Sequence, residues 1–121
     1  MPFAIDQLKL MAPSLRTDAT VVANGFKALA DPWRLQVIEQ LRHQELCVCD
    51  LCDRLAVAQS KLSFHLKTLK SANLLRSRQQ GKWVYYSLNL SQFIWLEEYL
   101  ADIRRFSQML PPRICDDKSP I

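Results

Sequence analysis

Residues 47–52 read Cys-Val-Cys-Asp-Leu-Cys, so three of the four cysteines of the chain lie within six residues. Three soft sulfur donors at this spacing favour a site for a thiophilic metal or metalloid. A disulfide between residues two or three apart would close a very small, strained loop, which argues against a structural bridge here. A thiol-based redox sensor is the alternative interpretation of the cluster. Cys115, alone in the tail, is interpreted as an ordinary free thiol.

The positive charge of the chain is concentrated downstream of these cysteines. Six of the sixteen Lys and Arg residues lie between residues 60 and 86, a stretch without Asp or Glu, although the formal net charge is only +4. Such a concentration is typical of a surface that binds phosphates. Double-stranded DNA is therefore the expected partner.

Length and composition limit the classes of function. A chain of 121 residues with two glycines predicts one domain without a glycine-rich phosphate loop or a second module that forms a pocket. We therefore expect neither an enzyme nor an organic cofactor. The sequence shows no secretory signal pattern and no run of about 18 apolar residues, which predicts a cytoplasmic protein without membrane association.

Two helices are predicted before the cysteines. The first begins at Thr17 or Asp18 and ends near Ala30. The second begins at Asp31-Pro32, which combines a helix-capping carboxylate with a proline at the first helical position. Its buried stripe is predicted to comprise Leu35, Ile38 and Leu41.

The next two helices predict a helix-turn-helix. The third runs from about Cys49 or Asp50 to Leu55, and the fourth covers roughly residues 60–71 with a buried leucine face. His65 flanks that face and is interpreted as structural. The side chains predicted to contact base edges are Ser60, Ser63, Phe64 and Lys67, and those predicted to contact phosphates are Lys61 and Lys70.

The period of the sequence changes after Leu75, where residues 76–78 and 83–86 flank a turn and predict a β-hairpin wing. The wing residues predicted to reach phosphates or the minor groove are Arg76, Arg78, Gln79 and Lys82. A last helix, from about Ser91 to Met109, is apolar on more than one face, which predicts a homodimer interface.

These elements predict a mainly α fold with a β-hairpin wing, that is, a homodimeric winged helix-turn-helix. Residues 1–16 are expected to form an N-terminal arm, and residues 17–109 the DNA-binding and dimerisation domain. Residues 110–121, which begin with Leu110-Pro111-Pro112, are expected to form a C-terminal tail.

The sequence resembles the ArsR/SmtB family of winged-helix repressors, and within it the arsenic-responsive branch. The similar segments are Leu29–Leu35, Glu45–Cys52, Ser63–Leu66 and Gln80–Tyr86. The resemblance implies a homodimeric repressor that binds a palindromic operator. It also implies release from DNA when As(III) or Sb(III) binds the thiols of Cys47, Cys49 and Cys52.

Two departures from the wider family narrow the range of candidate inducers to those that bind three thiols. Relatives that sense zinc, nickel or cobalt place histidines and carboxylates on the last helix, whereas residues 91–106 contain Glu97, Glu98 and Asp102 but no histidine. Relatives that sense cadmium or lead add cysteines from the N-terminal arm, and residues 1–46 contain none. A redox-sensing or Cd-, Zn- or Pb-responsive repressor of the same fold is the alternative.

Helix geometry restricts how three thiols can meet. Positions 47 and 49 of a regular helix point about 200° apart, whereas positions 49 and 52 lie on one face. Cys47 must therefore come from an extended segment before the helix or from an unwound first turn. Ligand binding is then expected to reshape the beginning of the third helix, on which the recognition helix rests.

Overall fold

The computed structural model describes residues 19–107 and 110–115. The predicted N-terminal arm, the helix start at Thr17 or Asp18, the helix end at Met109 and residues 116–121 of the tail lie outside the described residues. In chain order the elements are α1 (residues 19–29), α2 (Pro32–Gln40), β1 (Leu46–Cys47), α3 (Val48–Leu55), α4 (Gln59–Ser71), β2 (Leu75–Gln80), β3 (Trp83–Leu88) and α5 (Leu90–Ser107).

Capping explains where α2 begins. The carboxylate of Asp31 accepts hydrogen bonds from the backbone N–H groups of Trp33 (2.8 Å) and Arg34 (3.2 Å), while Pro32 occupies the first turn. These are two of the N–H groups that a helix start leaves without a backbone partner. The predicted start of α2 is thereby confirmed.

The core lies where α2, α3 and α4 meet. Leu62, Leu66 and Leu69 of α4 are almost fully buried, and they pack in one cluster with Leu51 of α3 and Val37 of α2. The leucine face predicted for α4 is confirmed. The stripe predicted for α2 is partly wrong, because the helix turns Val37 and Leu41 inward and leaves Leu35 48% exposed.

The sheet has three antiparallel strands in the order β1-β3-β2. β2 and β3 form the predicted hairpin, and Gly81, the first of its two turn residues, has a φ of 62°. A type II′ turn requires this sign at that position, which explains the glycine. The sequence did not indicate β1, whose two residues Leu46 and Cys47 pair with Tyr86 and Tyr85 of β3.

The last helix packs against the first. Gly25 of α1 lies so close to Leu96 of α5 that a Cβ atom at Gly25 would be 2.9 Å from the leucine Cδ2. The rings of Phe26 and Tyr99 meet beside this contact with centroids 6.2 Å apart. Within the described part of the chain, this contact covers one face of α5. No helix among the described residues is long and apolar enough to cross a membrane.

Candidate thiol site and DNA-binding surface

Cys47 lies at the junction between the sheet and α3. It ends β1 and caps α3, with extended backbone angles of φ −84° and ψ 169°. Its backbone N–H donates to Oδ2 of Asp50 at 3.4 Å, which satisfies a group at the helix start. Of the two origins predicted for Cys47, the extended segment before the helix is the one that the structure shows.

The three clustered cysteines are all unbridged but differ in exposure. Cys47 is buried, Cys49 is exposed and Cys52 is partly buried. Burial raises the pKa of the Cys52 thiol, and the neighbouring Cys49 and Asp53 raise it further. Because oxidation and attack proceed through the thiolate, a raised pKa makes Cys52 a slower redox group than an ordinary cysteine.

The three thiols lie at the cap of α3 and on the helix itself. Cys49 and Cys52 are one helical turn apart on the helix, while Cys47 belongs to the strand that precedes it. Within residues 19–107 and 110–115, no group of three or more His, Cys, Asp or Glu side chains is arranged to hold a metal ion. Binding of one ion by all three thiols therefore requires a rearrangement at the first turn of α3.

The recognition helix α4 presents the predicted side chains to solvent. The exposed ones are Ser60, Lys61, Ser63, Phe64, Lys67 and Lys70. Phe64, the large apolar residue of this face, is 63% exposed. An exposed hydroxyl and cationic face of this kind is suited to phosphates and base edges.

Two of these lysines also have partners within the chain. The ammonium group of Lys61 lies 4.1 Å from the centre of the Trp33 ring, within the range of a cation–π contact. The ammonium group of Lys70 donates to the hydroxyl of Ser77 in the wing at 2.6 Å. The two cations predicted to bind phosphates thus lie on opposite flanks of α4, Lys61 toward α2 and Lys70 toward the wing.

His65 has the structural role that the sequence indicated. It is only 7% exposed, and its Nδ1 lies 3.2 Å from a terminal nitrogen of Arg34. Because a guanidinium group has only donors, Nδ1 must accept, and the ring proton lies on Nε2. Arg34 also donates from Nε to the carbonyl of Ala28 at 2.6 Å. Arg34 thus connects α1, α2 and α4, a role that no pattern in the sequence indicates.

In the wing, the exposed side chain of Arg78 is held by contacts within the chain. Its Nε donates to both carboxylate oxygens of Glu45 at 3.0 Å, a terminal nitrogen also contacts that carboxylate, and another donates to Gln80 at 2.7 Å. The guanidinium group lies 4.7 Å from the centre of the Tyr85 ring. The hydrogen bond from Arg78 lowers the pKa of the Glu45 carboxyl group. The structure thus places Arg78 in an ion pair beside β1.

The other predicted wing residues are exposed, as Arg78 is; they are Arg76, Gln79 and Lys82. The amide of Gln79 donates to the carbonyl of Gly81 at 3.2 Å, and the ammonium group of Lys82 lies 5.4 Å from the ring centre of Trp83. Arg76 and Lys82 keep their charges at the surface of the wing, where a duplex backbone can reach them.

A basic second helix of a helix-turn-helix, followed by an antiparallel wing, defines a DNA-binding protein of the winged helix-turn-helix class. Comparison with known proteins is consistent with this class. Residues 31–77 match the bacterial regulatory protein, arsR family. The chain is 38% identical over 100 residues to the transcriptional repressor SmtB homolog of Synechocystis, covering 81% of this chain and 76% of that protein.

A second relative is the arsenical resistance operon repressor of Escherichia coli. It is 43% identical over 84 residues, which cover 69% of this chain and 72% of the relative. The crystal structure of NolR from Sinorhizobium fredii has a TM-score of 0.60 and 29% identity, over 76% of this chain and 92% of NolR. The chain belongs to the arsR family and is a DNA-binding transcriptional repressor.

Proposed function

We propose that the protein is an arsenite- or antimonite-responsive repressor, released from its operator when As(III) or Sb(III) binds Cys47, Cys49 and Cys52. The observation that carries the proposal is the placement of these three thiols, two on one face of α3 and the third at its cap. The likeness to an arsenical resistance operon repressor supports it.

The chemistry of As(III) suits this set of ligands. Arsenous acid condenses with three thiols: three As–O bonds break, three As–S bonds form, and the three thiol protons leave in three water molecules. No electrons are transferred, and the product is neutral. The raised pKa of Cys52 favours this condensation over capture of a divalent cation, which must displace the thiol protons without water as a leaving group.

The acidic side chains of α5 support a thiol inducer over a divalent cation. Arg105 lies 3.0 Å from Oδ1 of Asp102 and 3.7 Å from Oε2 of Glu98. Two of the three carboxylates on this helix are therefore already paired with a cation. A divalent ion on α5 would have to displace Arg105 and would find no histidine in residues 91–106.

The position of Cys47 supplies the coupling to DNA. Bringing Cys47 toward Cys49 and Cys52 changes the first turn of α3, and Leu51 of that helix packs against the leucine face of α4. A shift of α3 therefore reorients the recognition helix. Because Cys47 also pairs with Tyr85, the same movement reaches the wing. Both DNA-contacting elements would change together.

DNA binding is proposed to require a homodimer, because α5 carries a large apolar surface. The exposed apolar residues of this helix are Leu90, Ile94, Trp95, Tyr99, Leu100, Ile103 and Phe106. A contiguous apolar surface of this kind marks an interface. A two-fold dimer through α5 would place two recognition helices about 34 Å apart, one turn of DNA.

The experiment is a mobility-shift titration on the upstream DNA of the gene, with and without arsenite. Arsenite should weaken binding by wild-type protein on the order of 10- to 100-fold, the usual size of such coupling. Cys49→Ser should bind DNA as wild type does but no longer respond to arsenite, because Cys49 pairs with Cys52 across one turn.

The matched control is Cys115→Ser, which removes an exposed thiol of the tail and should leave the response intact. X-ray absorption of the arsenite complex should show three As–S bonds. Full induction of a variant with serine at positions 47, 49 and 52 would contradict the proposal.

A further inference from the structure

A basic cleft runs along one flank of the recognition helix. It has a volume of about 570 Å³ and lies between the end of α1, the start of α2 and the outward side of α4. Its lining includes Lys27, Arg34 and Lys67, and among residues 19–107 and 110–115 no carboxylate contributes to it. The small side chains of Ala28 and Ala72 leave it open. Asp31 lies beside Arg34 and caps α2, but its carboxylate does not line the cleft. Three cations in one cleft favour an anionic occupant.

One of these cations is fixed in place. Arg34 donates to the carbonyl of Ala28 at 2.6 Å and to His65 at 3.2 Å, so helices on two sides hold its guanidinium group. Lys67 is exposed on α4, and Lys27 lies at the surface of α1. The cleft therefore combines one oriented cation with two cations that can adjust to a ligand.

The position of the cleft indicates which anion it suits. A helix inserted in the major groove, about 12 Å wide, is flanked on both sides by a sugar–phosphate backbone. On one flank of α4, Lys70 reaches toward Ser77 of the wing at 2.6 Å. On the other flank, Phe64 and Thr68 turn toward α1 and form a wall of the cleft. The second backbone would therefore pass along the cleft.

We infer that this cleft binds the sugar–phosphate backbone of the operator, with Lys27 of α1 contacting phosphate. Helix α1 thereby becomes part of the DNA-binding surface. Phe64, 63% exposed at the same cleft, packs against a deoxyribose of that backbone. This inference rests on the proposed binding of DNA through α4, and it adds the contacts on the side of α4 that faces away from the wing.

The test is a salt titration of DNA affinity for Lys27→Ala. This variant should lose affinity for operator DNA and for random DNA by the same factor relative to wild type, because phosphates carry no sequence information. The slope of log affinity against log salt should become shallower by about 0.9 for each phosphate that the protein no longer neutralises, or about 1.8 per dimer. Lys27→Arg should restore the wild-type slope.

Arg42→Ala is the matched control, since it removes the same charge from an exposed site that pairs with Glu39 at 3.2 Å. It should leave the slope as in wild type. If Lys27→Ala has the same salt slope as Arg42→Ala, the proposed role of the cleft is wrong while the proposed function stands. A loss of affinity confined to operator DNA would have the same meaning. If wild-type protein binds no DNA, the proposed function and the cleft fall together.

Discussion

The chemistry of individual residues in this protein is set by their immediate neighbours. Asp50 follows Cys47 by three residues and accepts its N–H, so an acid that might repel a thiolate instead caps the helix. Asp53 contributes to the raised pKa of Cys52, although burial is the larger cause. Burial and the two neighbouring groups therefore all favour the neutral thiol of Cys52 over its thiolate.

The raised pKa of Cys52 predicts its reactivity toward iodoacetamide. In a variant with serine at the other three cysteines, the pH of half-maximal alkylation rate should be higher in the folded protein than in urea. The direction follows because the thiolate is the reactive form and burial, the main cause, persists in this variant. The pH of half-maximal rate reports the pKa of the thiol, whereas its accessibility changes only the maximal rate. Equal midpoints, or a lower one when folded, would favour redox sensing.

At the scale of elements, the shortest strand, β1, connects the wing to the cysteine cluster. β1 contains only Leu46 and Cys47, yet it joins the wing to the cysteine cluster, and Glu45 beside it holds Arg78. Arg78 was predicted to reach DNA with Arg76, but within residues 19–107 and 110–115 only Arg78 of the two forms an ion pair. The two arginines therefore offer a comparison within one strand.

Arg76→Gln should lower DNA affinity by a few-fold and make the slope of log affinity against log salt shallower by about 0.9 per subunit. Arg78→Gln should change both quantities less, because Glu45 already neutralises its charge. Each substitution removes one positive charge from β2, so long-range attraction changes equally. Fluorescence anisotropy with labelled operator measures the difference. Equal effects would show that DNA displaces Arg78 from Glu45.

The elements that were predicted correctly are those with a strong sequence pattern. The leucine period of α4, the Asp31-Pro32 start of α2 and the glycine turn of the wing each have one physical meaning, and each was predicted correctly. β1 was missed because two residues define no period. Leu35 was misplaced because α2 has apolar residues on more than one side, and packing alone decided that Val37 faces the core.

The candidate site was predictable in type but not in arrangement. The spacing of Cys47, Cys49 and Cys52 indicated a thiol site and left two origins open for Cys47, of which the structure shows the extended segment before the helix. The contacts of Arg34 and Arg78 join residues about 30 apart in sequence, and no local pattern reports them. Lys27 was not predicted for a similar reason. It lies outside the basic segment of the sequence and comes near α4 only in the folded chain.

At the scale of the whole molecule, the exposed apolar surface of α5 is the proposed dimer interface. Ile103 is 49% exposed in a chain of this size, and its neighbours on that helix are similarly exposed. Burying a large aliphatic side chain contributes roughly 1.5–3 kcal/mol. A two-fold interface buries two copies of each such residue, so a single substitution has a doubled effect.

Ile103→Asp should therefore weaken the dimer by about 3 kcal/mol or more, which is roughly 100-fold or more in its dissociation constant. Sedimentation velocity at micromolar concentration should show a monomer for this variant and a dimer for wild type. Ser91→Asp introduces the same charge at an exposed position of the first turn of α5 and should leave the dimer intact. A wild-type monomer at that concentration would contradict the interface.

The pairing of Cys47 with Tyr85 also bears on the order in which the chain folds. It closes a loop of about 40 residues that contains α3, α4 and the turn of the wing, whereas the hairpin itself needs only neighbouring residues. Hairpins form within about 1–10 μs, whereas closure of the longer loop has the larger entropic cost, so we expect β1 to pair after the hairpin has formed. A newly made chain thus has its thiols accessible before β1 docks. Arsenite present during synthesis would meet the cysteines before the DNA-binding form is complete.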